Sequence, residues 1–397
     1  MKFGIRLAFV SLLGLSLLLL PTLATAQHYH QVNLVGNPNP SKAPPGPAPN
    51  LLDSHLVNPW GLTRSATSPW WVANNGTGTS TLYNGNGNGS IVQRMVNGQL
   101  VQFVVNIPPT GSSTPTGTVF NGTSDFSVGI AVSGPNAGKP APGVFFFATE
   151  DGTISGWNPT VDPLNSIQVV AKKNAVYKGL TLAEANGQHY LYAANFHSGR
   201  VEVYDTNFKP VKFLGDAFED ERLPGGYAPF NVQAIGKNII VSFAKQQLPD
   251  KHDEVDGAGL GFVDVFSTTG RLLLRLQHGL WMNAPWGIAL APGEFGEFSH
   301  SLLIGQFGGG NIAAFSPFTG HFRGNILNED GSTFSIPGLW AIGFGNNNGT
   351  LVGNPPAPPA AGPYNTLFFT AGINGETDGL FGTLTAVGPE LTEADEP

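Results

Sequence analysis

Two groups of residues in this sequence have side chains that could bind a ligand or a cation. The first group follows the second apolar run of each of several repeated units, and it consists of Asn74, Asn75, Glu150, Asp151, Asn195, His197, Lys245, Gln306, Asn374 and Glu376. Asn and Asp favour turns, so part of this group is also explained by turn formation alone. Glu, His and Lys are not typical turn residues, and they favour a ligand-binding interpretation.

The second group lies in the polar stretch 250–257, which contains four carboxylates and one His. Asp250, His252, Asp253 and Glu254 are candidate ligands for a hard cation such as Ca²⁺. The stretch does not match an EF-hand loop, because Val263 occupies the position of the bidentate Glu. A solvated acidic loop is the alternative interpretation.

Several other chemistries have no support in this sequence. The chain has no Cys, which excludes thiol catalysis and thiolate metal sites. It also lacks the Gly-x-Ser-x-Gly elbow of α/β-hydrolases and the His-Glu-x-x-His pair of zinc proteases. No motif therefore identifies a reaction.

A repeat organises the elements that must position these residues. The pentapeptide Asn58-Pro59-Trp60-Gly61-Leu62 returns as Ala284-Pro285-Trp286-Gly287-Ile288, and looser copies bring the number of repeats to six. Counted from Gly61 through Gly129, Gly179, Asn231, Gly287 and Ala341, the spacings are 68, 50, 52, 56 and 54 residues. A period near 50 with about four short strands per unit predicts an all-β, six-bladed β-propeller.

This architecture predicts where the candidate residues lie. The turns between second and third strands gather on one face of a propeller, together with the segments that lead into the innermost strands. The sequence therefore predicts a ring of polar groups there, whose carboxylates need a positive charge between them. Lys245 and a bound Ca²⁺ are the two candidates for that charge. Trp60, Trp286 and Trp340 occupy equivalent positions and are interpreted as packing between blades, with stacking on a sugar as the alternative.

The two ends of the propeller are predicted to meet. The sixth repeat stops at its third strand, and an isolated strand at residues 31–35 precedes the first repeat, so this strand is expected to close the ring. We predict a signal peptide at residues 1–26, the propeller at 27–387 with a Pro-rich connector at 36–50, and an acidic disordered tail at 388–397.

Composition and the N-terminus predict the compartment. Residues 7–20 are almost wholly apolar between a basic start and Ala24-Thr25-Ala26, which indicates a cleaved secretory signal and an extracellular or periplasmic protein. The mature chain would hold 17 basic and 27 acidic residues and no membrane-spanning segment, so nucleic acid is not an expected partner.

Seven segments of the chain resemble an uncharacterised secreted bacterial family with repeats similar to those of NHL-type six-bladed propellers. The segments are 58–62, 68–83, 120–126, 148–154, 228–233, 250–253 and 259–266. Some members of that family end in a PEP-CTERM sorting tag. This chain has no such tag, so free secretion is expected. The resemblance implies the fold but no activity.

Two functions remain open on these residues. The first is a monomeric, non-enzymatic binding or scaffold protein for a small molecule, glycan or peptide. The second is a Ca²⁺-dependent hydrolase of the lactonase or esterase type, and Ca²⁺ is the one candidate cofactor. Convergence of Glu150, Asn195, Asp253 and Asn374 on one point would favour the enzyme. We expect weak or absent Ca²⁺ dependence.

Overall fold

The strands are short runs rich in β-branched and aromatic residues, and most end at a turn that contains Gly, Asn or Asp. The structure is a computed structural model that describes residues 28–38, 42–109, 111–346 and 360–388. Within these ranges there is no α-helix, and the 3₁₀ turns are Asn75–Thr77 and Gly296–Phe298. No helix in the described part is long and apolar enough to cross a membrane. The predicted signal peptide and residues 389–397 of the predicted tail lie outside it.

Six antiparallel sheets form the six blades of a β-propeller, as the repeat predicts. From the axis outward, the strands of the first three blades are Pro59–Thr63, Trp70–Asn74, Thr79–Asn84 and Ser90–Ile91 in blade 1, Pro115–Phe120, Phe145–Thr149, Thr153–Trp157 and Ile167–Ala171 in blade 2, and Tyr177–Ala185, Gln188–Asn195, Arg200–Tyr204 and Pro210–Val211 in blade 3. Those of the other three are Tyr227–Ile235, Asn238–Gln246, Phe262–Ser267 and Leu272–Arg275 in blade 4, Pro285–Leu290, Leu302–Gln306, Ile312–Phe315 and Phe322–Asn325 in blade 5, and Leu339–Phe344, Leu367–Ala371, Leu380–Ala386 and His28–Gly36 in blade 6.

The closing strand confirms the prediction for blade 6. His28–Gly36 pairs antiparallel with Leu380–Ala386, from Tyr29 opposite Ala386 to Gly36 opposite Leu380. The first strand of the chain thus becomes the outer strand of its last blade. The ring closes through backbone hydrogen bonds between sequence-distant segments, so Leu380–Ala386 is not an open edge.

The prediction for the innermost strand of blade 2 was wrong. That strand is Pro115–Phe120, whereas Ser127–Ile130 forms a small separate hairpin with Pro140–Pro142. The reason is a close approach between blades: a Cβ on Gly117 would lie 2.3 Å from the backbone nitrogen of Leu180 in blade 3. Gly129 faces only the side chain of Val161, so it is not the crowded glycine of its repeat.

Blade 1 has a divided outer edge. Ser90–Ile91 and Val104–Asn106 pair with opposite ends of Thr79–Asn84, and a hairpin of Gln93–Val96 and Gln99–Gln102 lies between them. Three short strands extend other blades. Leu51–Leu52 and Leu327–Asn328 pair with the outer strand of blade 6, and Glu254–Val255 pairs with the second strand of blade 4.

The described core consists of seven apolar clusters. Six lie between neighbouring blades, and one lies on the axis. The axial cluster contains Trp60, Phe230, Trp286 and Trp340. The repeated Trp residues pack against rings of other blades, as predicted, and they do so at the centre of the ring, where Trp60, Trp286 and Trp340 contact one another.

Candidate functional site

An irregularity in every innermost strand turns one side chain towards the axis. In each blade the pairing register between the first and second strands shifts near the start of the first strand, which is the signature of a β-bulge. The axial residues at these shifts are Trp60, Thr116, Lys178, Phe230, Trp286 and Trp340. The bulge aims them inward because it breaks the alternation of side chains along the strand.

Four of these six residues are aromatic and fill the axis. The rings of Trp60 and Trp340 are stacked with centroids 3.5 Å apart, and Trp286 meets both edge-on. Trp340 donates its indole N–H to Asn58, and Trp286 donates to the carbonyl of Lys178. The aromatic side chains form a buried plug, because they are large and make edge and face contacts with one another.

Lys178 occupies a position that is aromatic in four of the other five blades. Its side chain is only 1% exposed, and its ammonium lies 5.0 Å from the ring centroid of Trp60. A buried ammonium needs a counter-ion, and Lys178 Nζ donates a 2.7 Å hydrogen bond to Glu150 Oε1. Burial lowers the pKa of Lys178, but the charges of Glu150 and Glu254 outweigh burial and raise that pKa above its usual value. Lys178 is therefore a fixed cation on the axis.

Glu150 links this cation to blade 1. Its second oxygen accepts a 2.8 Å hydrogen bond from Asn75, the residue at the equivalent turn of the neighbouring blade. Asn75 in turn accepts a hydrogen bond from Asn58, which also holds Trp340. A continuous polar network thus runs from Lys178 to the edge of the aromatic plug.

The polar insertion of blade 4 folds over the axis and adds two more carboxylates. Glu254–Val255 pairs with Lys245 and Gln246, and this short ladder directs the preceding loop inward. Asp253 Oδ1 and Glu254 Oε2 lie 3.8 and 3.7 Å from Lys178 Nζ. The far end of the insertion is anchored on blade 5, where Gly257 donates its N–H to the side chain of Asn283.

Two carboxyl groups of this cluster hold protons near neutral pH. Burial raises the pKa of Glu254 to about 7, although the charge of Lys178 lowers it. Burial also raises the pKa of Glu376 to about 7, and the charges of Glu254 and Glu150 add to the effect. One ammonium cannot balance Glu150, Asp253, Glu254 and Glu376 together, so the cluster carries excess negative charge when all four are ionised. We call these four carboxylates and Lys178 the axial charge cluster.

A metal fits this cluster only in part. Glu150, His252 and Asp253 offer ligand atoms that lie within 4.8 Å of one another. Both oxygens of Glu150 already accept hydrogen bonds, and Ca²⁺ prefers six to eight oxygen ligands over a His nitrogen. The backbone carbonyl of Asp250 lies 2.9 Å from His197 Nδ1, and this hydrogen bond joins the insertion to blade 3.

The structure thus brings together some of the residues singled out in the sequence. Asn75, Glu150 and Glu376 lie in the 2–3 turns at the axial face, and Asp253 and Glu254 meet them from the insertion. His252 lies beside Asp253, with its Nδ1 atom 2.8 Å from Asp253 Oδ1.

Other predicted residues lie apart from the cluster. Asn74, Asn195 and Gln306 end their second strands and bond within their own blades or turns. Asp151 accepts hydrogen bonds from Thr114, and Asn374 donates to Asp378. Of the four residues whose convergence would favour the enzyme, Glu150 and Asp253 both lie near Lys178, whereas Asn195 donates to Glu202 and Asn374 to Asp378.

Lys245 was the wrong lysine for the central charge. It is exposed, because its neighbours Ala244 and Gln246 are buried and side chains alternate along a strand. Lys178 supplies the charge instead, and the repeat contains the signal that identifies it. Lys178-Gly179-Leu180 aligns with Trp60-Gly61-Leu62, so a lysine occupies a position that is aromatic in four of the six blades.

Comparisons with known proteins define the family. The chain is 31% identical over 340 residues to uncharacterized protein R648 of Acanthamoeba polyphaga mimivirus, covering 84% of this chain and 76% of that protein. It is 29% identical over 347 residues to uncharacterized protein L690 of the same virus, covering 84% and 83%. The chain belongs to the family of these mimiviral proteins. No protein-family model matches it.

Two solved structures are similar to this chain. A streptogramin B lyase has a TM-score of 0.44 at 12% identity, with 91% of this chain and 98% of that chain covered. A Bacteroides thetaiotaomicron protein of unknown function has a TM-score of 0.49 at 8% identity, with 91% and 76% covered.

Proposed function

We propose that this protein is a secreted binding protein, extracellular or periplasmic, whose axial face holds a polar small molecule, glycan or peptide. The observation that carries the proposal is the axial charge cluster above a closed aromatic plug. Glu150 and Lys178 hold each other in place by a short ion pair, so they form a rigid floor. Asp253 is 61% exposed and Glu376 is half-buried, so the rim of the cluster is open to a ligand.

The aromatic plug closes the axis beneath the axial charge cluster, because Trp60, Trp286 and Trp340 are all buried. The cavity between the innermost strands, lined by Gly61, Leu180 and Trp286 among others, measures about 20 Å³. This is room for about one water molecule and not for a sugar or a peptide. The polar groups of a ligand are therefore expected to be recognised at the rim of the cluster.

A thermal-shift screen of sugars, short peptides and small metabolites tests this function. We expect a ligand that raises the melting temperature of the wild-type protein and has no effect on Glu376→Gln. The matched control is Glu184→Gln, which neutralises an exposed carboxylate near the opposite end of the innermost strand that carries Lys178. A ligand whose effect is the same in all three proteins would place the binding site elsewhere.

The proposed localisation has a separate test. The apolar run at residues 7–20 and the Ala24-Thr25-Ala26 sequence support signal-peptide cleavage. We expect the exported protein to begin at Gln27 when its N-terminus is sequenced. An exported protein that retains Met1 would contradict cleavage.

A metal-dependent hydrolase is the second candidate, favoured by the convergence of Glu150, His252 and Asp253. The test is to add Ca²⁺ to chelator-treated protein and to follow both the melting temperature and the hydrolysis of lactones and aryl esters. Under the binding proposal, Ca²⁺ changes neither by much. A large stabilisation together with turnover that Glu150→Gln abolishes would favour the enzyme.

A further inference from the structure

One acceptor in the axial charge cluster has no hydrogen-bond donor. Glu254 Oε2 is enclosed, its side chain is only 9% exposed, and no donor in the described part of the chain is within hydrogen-bond distance. Its nearest positive charge is Lys178 Nζ at 3.7 Å, which already bonds Glu150. A buried oxygen without a donor is costly, and native structures retain such groups where a ligand or another functional demand explains them.

The carboxylate of Glu376 also lacks a hydrogen-bond donor in the described part of the chain. The carboxylate of Glu376 accepts no hydrogen bond from the described residues, and its electrostatic partners are Glu254, Glu150, Lys178 and Asp253. Three of these four partners are acidic. Glu254 and Glu376 therefore belong to one acidic cluster, whose ammonium, Lys178, already bonds to Glu150, so both carboxylates are short of hydrogen-bond donors.

We propose that the axial charge cluster recognises a positively charged nitrogen group of the ligand, a primary ammonium or a guanidinium, through Glu254 and Glu376. This inference rests on the proposed binding function and names its ligand class. An ammonium has three N–H donors and a guanidinium five, so one such group satisfies both carboxylates at once. Asp253 at the exposed rim attracts the same charge before the ligand docks.

A monovalent organic cation suits these carboxylates better than a divalent metal. Lys178 is a fixed positive charge 3.7 Å from Glu254 Oε2, and it repels a divalent ion about twice as strongly as a monovalent one at the same distance. The nitrogen group needs only hydrogen bonds to the carboxylate oxygens, whereas Ca²⁺ needs six to eight oxygen ligands. Each oxygen of Glu150 already accepts one hydrogen bond, from Lys178 or from Asn75, which leaves this carboxylate fewer lone pairs for a metal.

Binding of matched peptides by isothermal titration calorimetry tests the ligand class. The probes are the end-blocked tripeptide Gly-Arg-Gly and its citrulline counterpart, which has nearly the same shape without the charge. Gly-Lys-Gly and its Nε-acetyl form make a second pair. We expect each charged probe to bind at least ~10-fold more tightly than its neutral partner, as for loss of one charge-assisted hydrogen bond.

Two substitutions connect this preference to the named carboxylates. Glu254→Gln and Glu376→Gln keep the size of each side chain and remove its charge, and each is expected to weaken binding of the charged probes ~10-fold. Glu184→Gln is the control and is expected to bind like the wild-type protein. Affinity for Gly-Arg-Gly is also expected to rise from pH 6 to pH 8, because Arg stays charged while the two carboxyl groups lose their protons.

Three results would overturn the inference: equal binding of charged and neutral probes, unchanged binding in both Gln variants, or no binding of either charged probe. A neutral ligand that binds the wild-type protein but not Glu376→Gln would refute the ligand class and leave the binding function standing. Absence of a Glu376-dependent ligand of any class would refute the binding function itself. If Ca²⁺ binds the wild-type protein but not Glu254→Gln, the ligand of this carboxylate is a metal and not a nitrogen group.

Discussion

The axial positions of the six blades divide into two sectors with opposite chemistry. Blades 1, 4, 5 and 6 present Trp60, Phe230, Trp286 and Trp340, which pack into a dry plug. Blades 2 and 3 present Thr116 and Lys178. The same backbone bulge therefore delivers an aromatic ring in one sector and a hydroxyl or a charge in the other.

This comparison shows that the aromatic core and the polar site are both built on the same β-bulge. The bulge fixes the direction of the side chain, and the residue type alone decides whether that side chain adds to the core or to the site. The aromatic sector supports the charged one directly, because the indole of Trp286 donates to the carbonyl of Lys178. Substitutions in the two sectors should consequently differ in their dependence on pH.

Trp286→Ala should cause the largest loss of stability, and the loss should not depend on pH. The ring is 3% exposed and contacts Trp60 and Trp340, so truncation leaves a cavity and removes a hydrogen bond to Lys178. We expect a decrease of about 3 to 5 kcal/mol in the free energy of unfolding. Urea denaturation at pH 5 and at pH 8 measures it. A loss below about 1 kcal/mol would mean that the plug does not support the fold.

Lys178→Met should cost about 3 kcal/mol at pH 8 and distinctly less at pH 5. The substitution leaves Glu150 and Glu254 without their buried counter-ion, which is costly while they are ionised. At pH 5 protonation of Glu254, whose pKa burial raises to about 7, relieves part of the cost. The double variant Lys178→Met with Glu150→Gln should recover much of the stability at pH 8. An equal cost at both pH values would contradict an electrostatic role for Lys178.

The sequence predicted much of the scaffold, because the repeat is local. Each Trp-Gly or related pair marks an innermost strand, and six copies with one missing outer strand predict a ring closed by the N-terminal strand. The exception was blade 2, where Gly129-Ile130-Ala131 resembles Gly287-Ile288-Ala289. Only the close approach of Gly117 to blade 3 distinguishes the true strand, and that contact is not local.

The site was less predictable, because its chemistry depends on which of two adjacent residues faces the axis. Asn74 and Asn75 look alike in the sequence, yet Asn74 ends a strand and bonds Thr79 and Thr81, while Asn75 reaches Glu150. The choice of lysine failed for a related reason. Lys178 lies in a core strand, at a position of the repeat that is aromatic in most blades, so a search of the turns does not find it. An alignment of the six repeats identifies it, because it shows a lysine in place of an aromatic residue.

Glu254 should make the protein less stable as the pH rises towards neutrality. Its pKa is about 7 in the folded protein and near 4.3 in an unfolded chain, so the native state binds the proton more tightly. The stability that this proton contributes is complete below pH ~4 and declines as the pH rises to ~7, by about 3 to 4 kcal/mol in total.

Glu254→Gln should remove this contribution, because Gln remains neutral at every pH. We expect the variant to be more stable than the wild-type protein at pH 8 and of similar stability at pH 4.5. Thermal unfolding from pH 4.5 to pH 8 provides the comparison. A variant that is less stable than the wild-type protein at pH 8 would show that the negative charge of Glu254 stabilises the fold through Lys178.

The smallest effect should come from Lys245→Met, which is the matched control for Lys178→Met. Both substitutions remove one ammonium near the same face, but Lys245 is exposed and Lys178 is 1% exposed. An exposed charge is screened by water and salt, so we expect a change within about 0.5 kcal/mol at both pH 5 and pH 8. The same urea titrations measure it beside the buried variant. Equal losses for the two lysines would mean that burial does not set the importance of the axial cation, and the distinction between the two sectors would then have to rest on the aromatic plug alone.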